Sequence, residues 1–489
     1  MGKKLISMAL LLILATGLLF GDYYGTVLFG QNAEEDIFED ALILWYTDSD
    51  YAEYLRDAAV SYEKQTGIKV IPTEVSDVEF LEQIQKASTE GNKAPDLFVL
   101  SNDLLEKAVL SGLAAGVKDP DGILNDTCYT DASIRAVTYR DRMYGYPLSY
   151  ETACLVYNET VMEEIAMAAK AAAEAGESGD EGITVVEENP EDASEEPAPE
   201  LSEEEKAERK KAASEILPTT VVGILDFANQ YALPGGIESY FSWDTDDVLY
   251  NYWFAGAYLN AGGQNADRSE EISLYNEEAL YSLSVYQDFR DFFFMEDDDR
   301  TYPDTIDDFM NRKCVFTVAG TDIVSKMEQA AQDGTFKDDY NILPMRMLNS
   351  SLECRGLSVT TMICVNGLNE NNSDAERFAG YATKEYSKNL YARTGKMATS
   401  LLPDYEHPQM EAIREWYEQS VCLPKMVETT NYYILAEMCF SNIWDGRDVN
   451  NELKALSQSV LSNYYGKDYE DDYIETPVVM ERYNAEGEN

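Results

Sequence analysis

Carboxylates and tyrosines are the residues with which this chain could do chemistry. Its 489 residues include 91 Asp and Glu, 34 Tyr and 5 Trp, against one histidine, His407. A single imidazole leaves little room for histidine-based acid–base networks. No Gly-x-Ser-x-Gly elbow presents a serine nucleophile, and no glycine-rich loop could cradle phosphate. Paired carboxylates could cleave a glycosidic bond, but with 91 acidic residues no pairing stands out. Asp244-Thr245-Asp246-Asp247 and Glu296-Asp297-Asp298-Asp299 suggest calcium. Both lack the spaced ligands and glycine of an EF-hand loop, so capping and solvated turns are expected instead. The seven cysteines show no Cys-x-x-Cys spacing, and most sit in apolar runs. They read as buried small hydrophobes, with no zinc site or redox dithiol. One disulfide could form, between partners the sequence does not name. No metal, cofactor or catalytic residue is expected.

What remains is binding. The stretch Tyr144 to Asn158 holds the first candidate. Pro147 fixes its own φ and biases Tyr146 toward an extended backbone. A polar step, Ser149-Tyr150-Glu151-Thr152, precedes an apolar strand, Ala153 to Tyr157. A segment that leaves one core, turns polar and enters another reads as a crossover between two lobes, with Glu151 at the crossing. The segment Tyr340 to Pro344 repeats this strand-then-proline pattern.

The elements that must position Glu151 alternate. Leu42 to Trp45, Ile68 to Ile71 and Asp96 to Leu100 read as strands. Helices follow each, with Asp48 to Asp50, Asp77, and Asn102 or Asp103 as caps and Gly67, Gly91 and Gly112 as stops. Strand–helix alternation implies a parallel sheet covered on both faces. Ligands of such sheets bind beyond the strands' carboxyl ends, here Trp45-Tyr46-Thr47 and Leu100 to Asp103. Val248 to Leu259 reads as an aromatic-rich helix carrying Tyr252 and Trp253.

The net charge of −54 repels phosphate backbones and anionic lipid, so no nucleic acid is expected as partner. Lys3 and Lys4 precede an apolar run, Leu5 to Phe20, in the order of an export signal. Residues 1–30 are expected as a signal peptide or uncleaved anchor, and 31–40 as an acidic spacer. The first cysteine is Cys128, so no lipoprotein anchor is expected. From Glu177 to Glu208 there are fourteen acidic residues and one basic. Residues 176–214 therefore read as a disordered acidic insertion with a helical end, and 467–489 as a flexible acidic tail.

The early unit, with Tyr62-Glu63-Lys64-Gln65-Thr66-Gly67-Ile68-Lys69-Val70 and Ala94-Pro95-Asp96-Leu97, resembles a known family. It resembles the extracellular solute-binding proteins of ABC transporters, of the carbohydrate, maltose-binding-like type. The likeness continues through Leu110-Ser111-Gly112-Leu113, Met143 to Pro147, Glu151-Thr152 and Leu155 to Asn158. It resumes at Asp308-Phe309-Met310 and Phe316 to Gly320, and ends at Trp444 to Val449.

This resemblance implies a periplasmic-binding-protein-like α/β fold of two lobes joined by hinge crossovers. Lobe 1 is expected over 41–148 and 344–396, lobe 2 over 149–343 and 397–466. It implies that Glu151 and Asp103 meet sugar hydroxyls, and that Trp45 and Tyr46 line the cleft. Asn102, Tyr150, Tyr252, Trp253 and Trp444 complete the expected site, with Asp322 where relatives often carry an aromatic. A sugar site needs carboxylates for hydroxyls and flat rings for C–H faces. The implied function is an exported monomeric receptor, not an enzyme. It would stay at the outer face of the cytoplasmic membrane, released or anchored. It would take up an oligosaccharide by hinge closure and pass it to ABC permease subunits. The alternatives are an extracellular carbohydrate-active enzyme and a membrane-anchored ligand sensor.

Overall fold

A computed structural model describes residues 41–90, 94–177, 201–293, 300–369, 373–405 and 407–477. The expected signal or anchor, the acidic spacer, residues 178–200, the run Glu296 to Asp299 and residues 478–489 lie outside them. In chain order the strands are β1 (Leu42–Tyr46), β2 (Val70–Glu74), β3 (Leu97–Ser101), β4 (Thr138–Tyr139), β5 (Arg142–Met143), β6 (Tyr146–Thr152), β7 (Cys154–Asn158), β8 (Ser239–Phe241), β9 (Cys314–Ala319), β10 (Tyr340–Leu343), β11 (Leu357–Val365), β12 (Met397–Ala398) and β13 (Val421–Cys422).

The first sheet runs β12-β6-β11-β3-β1-β2, with β13 added to β11. β1 is parallel to β2 and β3, because helices Ala52–Thr66 and Phe80–Thr89 carry the chain back across the sheet. Gly67 closes the first of these helices at φ 78°, where its N–H bonds Glu63 O. β11 is antiparallel to both β3 and β6, so the sheet is mixed, where strand–helix alternation predicts a parallel one. Tyr54, Leu55, Ala58 and Phe378 bury one face, and Phe80, Ile84, Leu105 and Ala108 the other. The second sheet, β10-β7-β9-β8, lies in a larger core with Trp243, Phe289 and Phe316.

The chain changes sheets at Ala153, the single residue between β6 and β7. The polar step expected as the crossing is instead the end of β6. Two of its polar side chains are buried and paired: Ser149 Oγ meets the Tyr51 hydroxyl at 2.5 Å, and Thr152 donates to Leu357 O at 2.8 Å. Polarity at these two positions marks satisfied hydrogen bonds, not solvent. The later boundaries move for the same kind of reason. Met345, Leu348, Leu352 and Cys354 pack in the second core, so the return falls near Gly356 and not at 344. Met397 and Ala398 still pair with β6 in the first sheet.

The helical end expected of the acidic insertion is helix Glu203–Ile216, which begins with a Ser202–Glu205 capping box. Lys170 pairs with Glu208, and Lys210 Nζ stands 3.6 Å from Glu159, which joins this helix to Glu159–Glu177. The aromatic-rich stretch is two 3-10 turns, Val248–Tyr250 and Tyr252–Phe254. Asn251, fully buried, donates to Asp244 O and Asp247 O, and so holds a turn where a helix would place it otherwise.

Near β13 the chain crosses once more. Lys425 is fully buried and its ammonium donates to Arg135 O and Thr138 O, both at 2.6 Å. Its own N–H bonds Ala266 O at 3.0 Å. Burial pushes its pKa down. Six of the seven cysteines are buried, and all seven are free thiols.

Candidate binding cleft at the crossing

Glu151 sits two residues before the sheet change, and both units reach it. Its Oε2 accepts from the Thr321 hydroxyl at 2.7 Å, just after β9 of the second sheet. Its Oε1 lies 3.5 Å from the ammonium of Lys396, just before β12 of the first sheet. Lys396 also stands 3.4 Å from Asp48 and 3.4 Å from Asp50, beyond the end of β1. The Tyr51 ring centre is 5.5 Å from the same ammonium. Three carboxylates and one ring thus cage one cation. Burial disfavours the charge on Lys396, but Tyr51, Glu151, Asp48 and Asp50 outweigh it, and its pKa is raised. The Glu151 side chain is 39% exposed, yet burial is the largest influence on its carboxyl pKa and raises it, against the pull of Lys396 and Thr321.

The opposite wall is built around the turn after β9. Asp322 accepts from the Tyr302 hydroxyl at 2.5 Å and stands 3.0 Å from Lys326. Tyr302 stacks on Tyr250 with ring centres 4.7 Å apart, and Lys326 Nζ lies 4.3 Å from the centre of the Tyr302 ring. Gly320 lets these groups converge. A Cβ there would stand 3.2 Å from Asp322 Oδ1, 3.6 Å from the Tyr302 hydroxyl and 3.7 Å from the Tyr250 hydroxyl.

Tyr250 links this wall to further carboxylates. Its phenol pKa is raised by burial first, then by Asp247, Asp322, Asp244 and Glu151. Asp247 takes the N–H of Leu249 at 2.8 Å and accepts from the Tyr433 hydroxyl. Asp244 accepts the N–H groups of Asp246 and Asp247 at 2.9 and 3.0 Å. Glu437 lies one turn beyond Tyr433 on helix Tyr432–Trp444. Burial raises the pKa of Asp244, against the backbone N–H groups that it accepts, and burial raises that of Glu437, with Asp247, Asp244 and Asp246 raising it further.

Among the expected site residues, Glu151 and Asp322 are brought together. Asp103 accepts from the Ser101 hydroxyl, and burial raises its carboxyl pKa. Trp45 is half-buried and packs beside the core that holds Phe98 and Leu100. The others are interior, contrary to expectation. Asn102 is fully buried; it donates to Leu423 O at 2.6 Å and accepts the Thr360 N–H at 2.7 Å. Tyr46 is buried in the first core. Tyr150 points away from Glu151, as alternation along a strand demands, and stacks on Tyr417 at 3.8 Å. Tyr252 meets the Tyr432 hydroxyl at 2.7 Å, and the Trp253 indole donates to Tyr250 O at 2.8 Å. Trp444 is buried against Trp243. These rings are core.

Lys396, Asp48, Asp50, Tyr250, Tyr302, Tyr433 and Glu437 were not foreseen. Asp48 and Asp50 were legible only as helix caps, and Asp244 and Asp247 only as an acid run. Lys396 follows Gly395, a left-handed helix stop at φ 69°, which marks a turn but not its partners. A cavity of about 750 Å³ opens elsewhere, lined by Arg135, Asn260, Arg346, Arg355 and Glu418 among others. It shares no lining residue with the Glu151 cleft. Among the described residues no group of three or more His, Cys, Asp or Glu is arranged to hold a metal ion.

Two α/β units, joined by crossings and meeting over a polar cleft, define a two-lobed binding protein. A family model described as "Bacterial extracellular solute-binding protein" matches residues 57–403. The chain belongs to that family, the one its motifs resemble. The curated galactooligosaccharide-binding protein of Bacillus subtilis (strain 168) is 28% identical over 125 residues. That match spans 25% of this chain and 28% of the relative's length. Among solved structures, the chain is similar to an extracellular solute-binding protein from Staphylococcus aureus in complex with maltose. The TM-score is 0.65 at 15% identity, over 87% of this chain and 98% of that one. A cyclo/maltodextrin-binding protein complexed with maltotetraose gives 0.63 at 17% identity, over 87% and 97%. The maltose-maltodextrin binding protein of Alicyclobacillus acidocaldarius gives 0.59 at 16% identity, over 86% and 100%. At these identities the likeness establishes the two-lobed periplasmic-binding-protein-like fold. No helix among the described residues is long and apolar enough to cross a membrane.

Proposed function

We propose that this protein is an exported receptor that captures an oligosaccharide between its lobes and delivers it to an ABC permease. The observation that carries the reading is Glu151, shared at the crossing by Thr321 from one lobe and Lys396 from the other. Such a carboxylate can take sugar hydroxyls that would otherwise lose water unpaired. The stacked Tyr250–Tyr302 pair stands in the facing wall, with the Tyr302 hydroxyl on Asp322. A ligand held by both lobes stabilises the closed form, which is the form a permease would recognise. The saccharide-binding names among the relatives support a carbohydrate as solute. The receptor works outside the cytoplasmic membrane and catalyses no turnover.

The test is titration with neutral and charged oligosaccharides by calorimetry, with small-angle scattering on the same samples. Saturable one-to-one binding, unchanged sugar and a smaller radius of gyration are expected. Cleaved glycan in the sample would make it an enzyme and overturn the proposal.

A further inference from the structure

The saccharide reading leaves the cavity of about 750 Å³ without a role. That volume falls within the roughly 300–1,000 Å³ of small-molecule sites. Where the chain crosses between units, the strands stand in the order β12, β6, β11 and β13. Lys396 precedes β12 at one edge of this row. Ser420 and Val421, which line the cavity, stand at the start of β13 at the other edge. Two strands, β6 and β11, therefore separate the cavity from the Lys396 edge of the cleft. Both units build its wall. Arg135 comes from helix Asp131–Val137 of the first. Arg346 and Arg355 come from the second, between β10 and the return at Gly356.

Three guanidinium groups around one cavity stand out in a chain with 37 basic residues against 91 acidic ones. Three glutamates line the same space, and each carboxylate is already engaged. Glu418 accepts the N–H groups of Asp131 and Ala132 at 3.2 and 3.1 Å. Glu271 stands 3.7 Å from Arg268, and Glu353 pairs with Arg355 at 2.7 Å. Arg135 has no such counterpart. Its Nη2 donates to the backbone oxygen of Glu418 at 3.2 Å, and no carboxylate among the described residues pairs with it. Arg346 meets only Glu415, at 3.4 Å, with both side chains more than half exposed. An exposed pair of that kind holds a guanidinium weakly. A guanidinium keeps its charge and presents a planar fork of donors that fits a carboxylate or a phosphate two bonds at a time.

We propose that this cavity is a second ligand site, which takes a small organic oxyanion, carboxylate or phosphate, on Arg135 with help from Arg346 and Arg355. The proposal uses residues apart from the Glu151 cleft and does not rest on the saccharide reading.

Citrate and glucose 6-phosphate are the two probes, titrated by calorimetry into the whole ligand-free protein. Saturable one-to-one binding of at least one of them is expected, and the tighter of the two tells carboxylate from phosphate. Arg135→Gln, checked for an unchanged melting curve, should weaken that binding at least roughly tenfold, the scale of a lost hydrogen-bonded charge. Arg346→Gln should weaken it less, because Glu415 already shares that guanidinium. If Arg135→Gln does not fold, Arg346→Gln and Arg355→Gln, both at exposed side chains, decide instead. No binding of either anion, or anion binding that all the folded arginine variants leave unchanged, would overturn the proposal. Either result leaves the saccharide receptor to its own titration with neutral sugars.

Discussion

Glu151→Gln separates a binding role from a structural one. The substitution keeps side-chain volume and an oxygen for the Thr321 hydroxyl, and removes the charge facing Lys396. At 3.5 Å, and an effective dielectric of about 20, the lost attraction is about 5 kcal/mol before desolvation. The pair is part of an open cluster, and Glu151 is 39% exposed. Solvent screening and the relieved burial of the carboxylate leave a net folding cost of about 1 kcal/mol or less. Asp48 and Asp50 continue to hold Lys396. Binding should respond far more. Removing a charged acceptor from a desolvated hydroxyl costs about 1.5–3 kcal/mol, a rise in Kd of roughly 10- to 150-fold. Calorimetry with the best saccharide measures the first quantity, and urea unfolding of the ligand-free protein the second. An unchanged Kd would remove Glu151 from the site. A Kd loss matched by an equal loss of folding stability would make Glu151 a structural residue and refute the reasoning.

Trp253→Ala should act in the opposite sense. The ring is 2% exposed and lies 4.2 Å from Phe254, so its loss should cost about 3–5 kcal/mol in urea unfolding; lost affinity at unchanged stability would return it to the cleft wall. Lys425 predicts a pH dependence. Its folded pKa is lowered from the usual lysine value by burial, so the folded state releases its proton first and stability rises with pH between the folded value and about 10.4. Comparing urea midpoints of wild type and Lys425→Met across that alkaline window should show the wild type gaining relative to the variant; a constant difference would mean that Lys425 stays charged throughout.

The elements around the cleft were legible because their signals are local. The cap at Gly67, the strands β1 and β3, and the proline that starts β6 depend on neighbours a few residues away. The family could be read for the same reason, from short motifs in a fixed order. The place of Glu151 beside the sheet change was legible as well, from the polar residues that precede the apolar run Ala153 to Tyr157. Asp322 was visible as a carboxylate where a ring was expected, but not the Tyr302 hydroxyl that it accepts.

The sequence by itself determined the strand–helix grammar, the change of core near Ala153 and the large negative charge. Only the tertiary structure decided which carboxylates share a space. The pair Asp48 and Asp50, Glu151 and Lys396 come from three distant parts of the chain, and only the ends of β1 and β6 bring the three carboxylates within 3.5 Å of the Lys396 ammonium. The same holds for the aromatic rings. Tyr252, Trp253 and Tyr302 look alike in composition, yet the first two fill the core and the third faces Asp322. Burial is set by where whole elements pack, and no local pattern encodes it.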